Sequence, residues 1–369
     1  MMMVGEIGLE WAGAIAVSVV VMILIGVFIV KREKGEPKAT AVPAPVDADR
    51  AATAMPGEPS EDVSERVAIP PPPADLAGEP GAARDYLPLP SVEWIVDITL
   101  PAGETLATAD LVAMMDDEWR EQHGTATLFI LDPTTTRWTF GVSNESPEQA
   151  SAAKVAWHFL RGLPGNDEPD DALFSQRLES LRSLLAERGA TVASETSAES
   201  AVKRCHELVE LLQNTPRDLT AITHSPSSQP FDGKKIWDVM HCLGLHWGDM
   251  DIFHLANPHE DCGDDHYFSV WTHAAPGYFI PEDIAADRVH VEDLVFGMSI
   301  LRSYDPLATF DALAAASTYA RARLGGINLV DAMGEDLDLP TLREHVATTA
   351  ATWTAAGFPP GSPAALRLL

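Results

Sequence analysis

From Trp11 to Val30 the chain carries twenty residues without a single charge, and no other stretch limits its fold so strongly. About 20 apolar residues rising 1.5 Å each span a hydrocarbon core of roughly 30 Å. The run is therefore expected to form a membrane helix at about 9–30. A cleaved leader would need a basic stretch ahead of it, but Glu6 and Glu10 precede it and no Lys or Arg does. Lys31-Arg32-Glu33-Lys34 follows at once. By the positive-inside rule the N-terminus faces outward and everything after the run is cytoplasmic. Residues 1–34 read as a single-pass transmembrane anchor.

Residues 35–90 are rich in Ala, Pro and acidic side chains, including Pro70-Pro71-Pro72-Pro73. Their apolar residues are scattered, so the segment alone buries too little surface to offset the entropy of ordering. It is expected to be a disordered linker with a reach on the order of 40 Å. The net charge of −30 argues against nucleic-acid backbones and against spreading on anionic lipid surfaces, and suits a partner that offers a basic segment. Cys205, Cys242 and Cys262 are too few and too odd in number for a disulfide framework, which fits a reducing compartment.

The remainder reads as α+β. In the first part, residues 91–215, strands are expected at 92–100, 126–131, 137–142, 154–160 and 191–194, with helices at 109–122, 171–188 and 198–214. In the second, residues 216–357, strands are expected at 219–223, 245–255, 267–272, 294–301 and 327–332. Helices there open at Asp232-Gly233 and cover 305–324 and 340–354; residues 358–369 read as a C-terminal tail. Both parts follow one order: strand, helix, three strands, helix, strand, helix. This suggests two tandem domains, the first a divergent copy of the second, although the two share little sequence.

No catalytic constellation emerges: there is no phosphate loop, nucleophile elbow or paired-acid arrangement, and no cofactor is expected. His259-Glu260-Asp261-Cys262-Gly263-Asp264-Asp265-His266, with His254 upstream, has zinc-ligand residue types. It holds one cysteine and no second ligand pair, so a polar loop between two strands is the simpler reading and no metal is expected. His241-Cys242 with His246 reads as packing near a helix–strand junction. Asp170-Asp171 reads as first-turn charge on a helix.

Three separated motifs carry a family resemblance: Gly248-Asp249-Met250-Asp251-Ile252-Phe253-His254, Phe268-Ser269-Val270, and Pro276-Gly277-Tyr278-Phe279-Ile280-Pro281-Glu282. Together they resemble the C-terminal domain of ZipA, the bacterial division protein that ties the FtsZ ring to the inner membrane. The likeness extends more thinly over about 219–346, and the anchor topology resembles ZipA too. The resemblance implies an antiparallel sheet with helices on one face and a shallow apolar groove on the other. That groove receives the C-terminal tail of FtsZ. Matching groove positions are Met250 and Ile252; Trp271, His273 and Ala275; and Thr220 and Ile222. On the strand at 294–301, a gapless alignment turns Leu294, Phe296, Met298 and Ile300 toward the helices and lines the groove with Val295, Gly297 and Ser299. Gly297 then stands where the family has a large aromatic anchor, a loss that Trp271 would offset by filling the space. A one-residue shift would instead place Phe296 and Met298 in the groove.

The implied protein is a single-pass inner-membrane anchor for the FtsZ ring, with its N-terminus periplasmic and its bulk cytoplasmic. Its partners would be the FtsZ tail and, through the helix, the membrane. Two other readings stay open: a scaffold of the same fold with a changed peptide partner, and a metal-binding or signalling domain on a membrane stalk. Asp85-Tyr86-Leu87-Pro88-Leu89-Pro90 resembles the FtsZ tail itself, so it is either a pseudo-ligand for the groove or a proline-rich entry into the first strand.

Overall fold

The computed structural model describes residues 50–73, 86–161 and 170–369, apart from positions 52, 56, 102, 228, 260 and 261. The apolar run at 11–30 lies outside them. Among the described residues no helix is long and apolar enough to cross a membrane.

The first part runs β1 (Glu93–Thr99), β2 (Leu106–Ala107), α1 (Thr108–Ala113), α2 (Asp117–His123), β3 (Ala126–Leu131), β4 (Trp138–Phe140), β5 (Gln149–Ala150), β6 (Ala152–His158), α3 (Asp171–Ala186), β7 (Thr191–Glu195) and α4 (Ala198–Asn214). The single helix expected at 109–122 is two, because the Asp116 carboxylate accepts from the Trp119 N–H and starts a fresh helix. β1, β3, β4, β6 and β7 form an antiparallel sheet in the order β4-β3-β6-β1-β7. Alternation sends Trp94, Val96 and Ile98 of β1 and Val155 and Trp157 of β6 into one core with Phe174, Leu181 and Leu185 of α3.

The second part runs β8 (Asp218–His224), β9 (Phe231–Asp232), α5 (Gly233–Cys242), β10 (His246–Trp247), β11 (Phe253–Ala256), β12 (His266–Trp271), α6 (Pro281–Ala285), β13 (His290–Val291), β14 (Asp293–Ser299), α7 (Pro306–Leu324), β15 (Asn328–Val330) and α8 (Leu339–Ala355). Its antiparallel sheet has the order β10-β11-β12-β14-β8-β15. Leu294, Phe296 and Met298 share a core with Ile236 and Met240 of α5 and with Phe310 and Leu313 of α7. The gapless register is therefore the one observed, and the helices lie on one side of the sheet.

The strand expected at 245–255 is broken. Hydropathy alternates through it, but the backbone turns at Asp249–Asp251, where Met250 and Asp251 take φ of 61° and 58°. Alternation counts residues and is blind to a left-handed turn that keeps the count.

Part of the expected disordered linker is docked. Residues 50–73 run as a strap along α5 and α7, with Ala51 and Val67 buried in the second core and Met55, Val63 and Ile69 packed against it. Ser60 donates through N–H and Oγ–H to the Asp238 carboxylate at 2.7 and 2.6 Å. The Val63 N–H donates to Cys242 O at 2.9 Å, and Tyr319 Oη–H donates to Glu61 at 2.7 Å. Arg50 pairs with Glu282 through two hydrogen bonds of 2.8 and 2.9 Å and lies over the Trp247 ring. Considered alone, the segment lacks apolar partners; the helices supply them.

The C-terminal residues cross the other way. They form α9 (Pro363–Leu368), whose Ala365 and Leu368 join the first core together with Trp353 and Phe358. Arg367 pairs with the buried Glu93 at 2.6 Å, and its carbonyl meets His158 Nε2 at 2.8 Å. The strap at the front thus belongs to the second sheet and the last helix to the first.

Candidate functional site

The face of the second sheet turned away from α5 and α7 is built in rows, because antiparallel partners stand side by side. One row runs Val330, Ile222, Val295, Trp271 across four neighbouring strands. On one side of it stand Asn328, His224 and Asp293, and on the other Thr220, Gly297, Ser269 and His254. The strand positions of this face carry no lysine or arginine. Ile222, Val295 and Val330 are 6%, 1% and 2% exposed and pack with the half-buried Trp271 as a small apolar cluster of their own.

Trp271 closes that cluster by lying over Gly297. A Cβ at Gly297 would stand 2.2 Å from the indole Cη2 and 2.6 Å from Cζ3, so only glycine fits. The aromatic mass on this face thus comes from β12, one strand over from β14. Five of the expected residues, Thr220, Ile222, Trp271, Val295 and Gly297, are brought together here.

The other four lie at the rim. Met250 sits on the 249–251 turn, not in a strand, and is 40% exposed. Ile252 follows the turn with the parity of His254. Contacts from outside the turn help to hold it. The Phe279 N–H donates to Asp251 O at 2.8 Å, and His254 Nε2 meets Asp249 O at 2.8 Å while Nδ1 meets Ser269 Oγ at 2.8 Å. A carbonyl only accepts, so Nε2 carries the proton and the Ser269 hydroxyl donates to Nδ1. Burial and the neighbouring His266, stacked 4.0 Å away, push the His254 pKa down to about 4. His254 went unnoticed as a support because a histidine in a loop-like motif reads as a potential ligand.

His273 follows β12, and Ala275 lies in the next loop at a cis Ala275–Pro276 bond. His273 Nδ1 meets Asp293 Oδ2 at 2.7 Å, while Oδ1 accepts from Thr272 Oγ–H and the His273 N–H at 2.8 and 2.9 Å. Burial opposes the ionised form of Asp293, but these hydrogen bonds outweigh it and hold the carboxyl below its usual range. The bond to Asp293 in turn raises the His273 pKa. No sequence motif marks Asp293; only the strand pairing brings it to His273. Among the described residues no three His, Cys, Asp or Glu side chains converge on a metal position.

Tyr86, at the start of the proline-rich 86–90 segment, lies on the first sheet. Its N–H donates to Trp138 O at 3.0 Å, and its ring packs against Phe140 at 4.8 Å. Asp85 is outside the described residues.

Residues 219–346 match the family of the ZipA C-terminal, FtsZ-binding domain. The cell division protein ZipA of Marinobacter nauticus is 31% identical to this chain over 100 residues. That stretch is 27% of this chain and 29% of the relative's length. The second part of the chain is thus a ZipA-type C-terminal domain.

Proposed function

We propose that this chain, carrying a ZipA-type C-terminal domain, holds FtsZ polymers at the bacterial inner membrane during division. The tail of FtsZ is taken on the open face of the second sheet, and the apolar run at 11–30 is the anchor. The chain then acts as a scaffold, with no catalytic role. The observation that carries this reading is the helix-free face, with its apolar row ending at Trp271 and Met250 exposed at the rim. An exposed methionine beside a half-buried tryptophan suits an adaptable apolar peptide site. A micromolar peptide needs about 8 kcal/mol. Trp271 and Met250 supply part of it, and several anchors on one polymer add avidity.

The test is titration of a labelled FtsZ tail peptide from the same organism into the full-length chain in detergent, with Met250→Asp as control. Micromolar binding abolished by the substitution supports the reading. Silence moves the assignment to a second reading, a scaffold of this fold with another peptide partner, which the tryptophan already filling the space over Gly297 favours.

The first part we read as a divergent copy of the second. In both sheets the first strand lies between the long strand directly ahead of the last two helices (β6, β14) and the short strand between those helices (β7, β15). In both, a two-residue strand directly ahead of the first helix (β2, β9) pairs with one directly ahead of that long strand (β5, β13). Trp119–His123 on α2, the second helix of the first part, and Trp237–His241 on α5, the first helix of the second, are each four residues apart and pack at the same 5.0 Å and 49°. The copies differ beyond β6 and β14: β3, the earlier strand, neighbours β6, whereas β12, the later strand, neighbours β14.

A further inference from the structure

Asp293 spends both carboxylate oxygens on Thr272 and His273. Two backbone-proximal bonds, from the Thr272 hydroxyl and the His273 N–H, are enough to end β12 and start the loop. The third, to the imidazole, does something more. It fixes the ring on the open side of the sheet at the tryptophan end of the apolar row, since Asp293 shares a face with Val295 and Trp271 pairs with Val295. The His273 side chain is nevertheless 50% exposed, and its Nε2 has no partner among the described residues. An imidazole whose Nδ1–H donates to a carboxylate presents a second, outward N–H when protonated. The strand positions of this face offer no other cation of the lysine or arginine kind.

We propose that His273, oriented by Asp293, is the specificity-determining donor of the open face and pairs with a carboxylate of the bound peptide. This rests on the reading of that face as a tail-binding site. The carboxylate is either an acidic side chain or the peptide's own C-terminus. Few other groups act on the imidazole: Asp293 from β14, His224 opposite Asp293 on β8, and a loop, 274–280, that carries Tyr278 and no charged residue. An imidazolium binds a carboxylate and a neutral imidazole does so poorly. Affinity is therefore high below the His273 pKa and lost as pH rises through it.

The experiment titrates three forms of the FtsZ tail peptide into the full-length chain at pH 6.0 and pH 8.5. One is native, one has Asp and Glu replaced by Asn and Gln, and one has an amidated C-terminus. The native peptide should bind about three- to tenfold more weakly at the higher pH, the range for one charge-assisted contact at a partly exposed site. Whichever modified peptide lacks the recognised carboxylate should lose that dependence, as should His273→Gln with native peptide. Asp293→Asn keeps the imidazole but removes the charge beside it, so the drop should move to lower pH, which a merely structural role would not produce. Binding that is equal at both pH values, or that falls equally for all three peptides, overturns the proposal and leaves the tail-binding reading intact. No binding at either pH overturns both.

Discussion

The indole of Trp271 lies against Gly297 of the neighbouring strand so closely that a β-carbon on the glycine would stand 2.2 Å from Cη2. The two residues work as one unit: a strand position emptied of its side chain and a tryptophan from next door that fills it. Gly297→Val must evict the indole and uncover Ile222, Val295 and Val330. Overpacking of this kind costs about 1–3 kcal/mol. Thermal unfolding should register that loss, and tail affinity should fall with it. Trp271→Ala should remove binding while tolerating a larger residue at 297.

Val67 of the strap is 2% exposed and part of the second core. Val67→Ala removes two methyl groups from that site and should destabilise the chain by about 2 kcal/mol. Urea denaturation checks the value. A chain trimmed to residue 86 onward should lose more, because the Asp238 and Cys242 contacts go too. An unchanged midpoint in either case would mean that the strap is not docked in solution.

At the other end, Glu93 is a carboxylate whose side chain is 2% exposed, held by Arg367 and by the Leu89 N–H at 2.6 Å. Arg367→Ala strands that buried charge, at a cost of about 3 kcal/mol, near the low end for a broken buried pair because Arg367 itself is partly exposed. Hydrogen exchange should show β1 and β6 losing protection in this variant, while β11 and β12 keep theirs.

Acid should destabilise the protein in part through His254. Its folded pKa of about 4 lies below the ordinary value of 6.5, so as pH falls the unfolded chain takes up the proton first. The stabilisation is complete above pH 6.5 and is lost as pH falls through the range down to 4. At pH 5 the loss from this one group is about 2 kcal/mol. His254→Gln should flatten that part of the stability profile; a profile as steep as the parent's would assign the slope elsewhere.

Much of the fold is legible in the sequence where one period dominates. α4 begins and ends at the expected residues because it buries one clean face, and β3 does too, as a short apolar run buried on both faces. The face assignment of β14 was legible for the same reason: only one register keeps Leu294, Phe296 and Met298 together on an apolar side. The site was legible in part. Thr220, Ile222, Trp271, Val295 and Gly297 meet as their alternation requires, whereas Met250 and Ile252 were assigned to a strand that a left-handed turn interrupts. The strap and α9 were not legible at all. Ala51, Met55, Val63, Val67 and Ile69 follow no period, because each is placed by a notch on helices two hundred residues away. A segment that borrows its core from elsewhere looks like a linker when read alone.

The docked strap changes the length of the leash. Were residues 31–90 all free, the distance from the apolar run to the first sheet would reach about 200 Å at full extension. With Arg50 fastened to Glu282, only positions 31–49 separate the run from the second sheet, a contour of at most about 65 Å. With the run as anchor and the open face as the tail site, as proposed, that face patrols a thin layer against the membrane, and a filament beyond that layer is out of range. Unfastening the strap would deepen the layer, so the same contacts that complete a core also set how near the bilayer a polymer must lie to be caught.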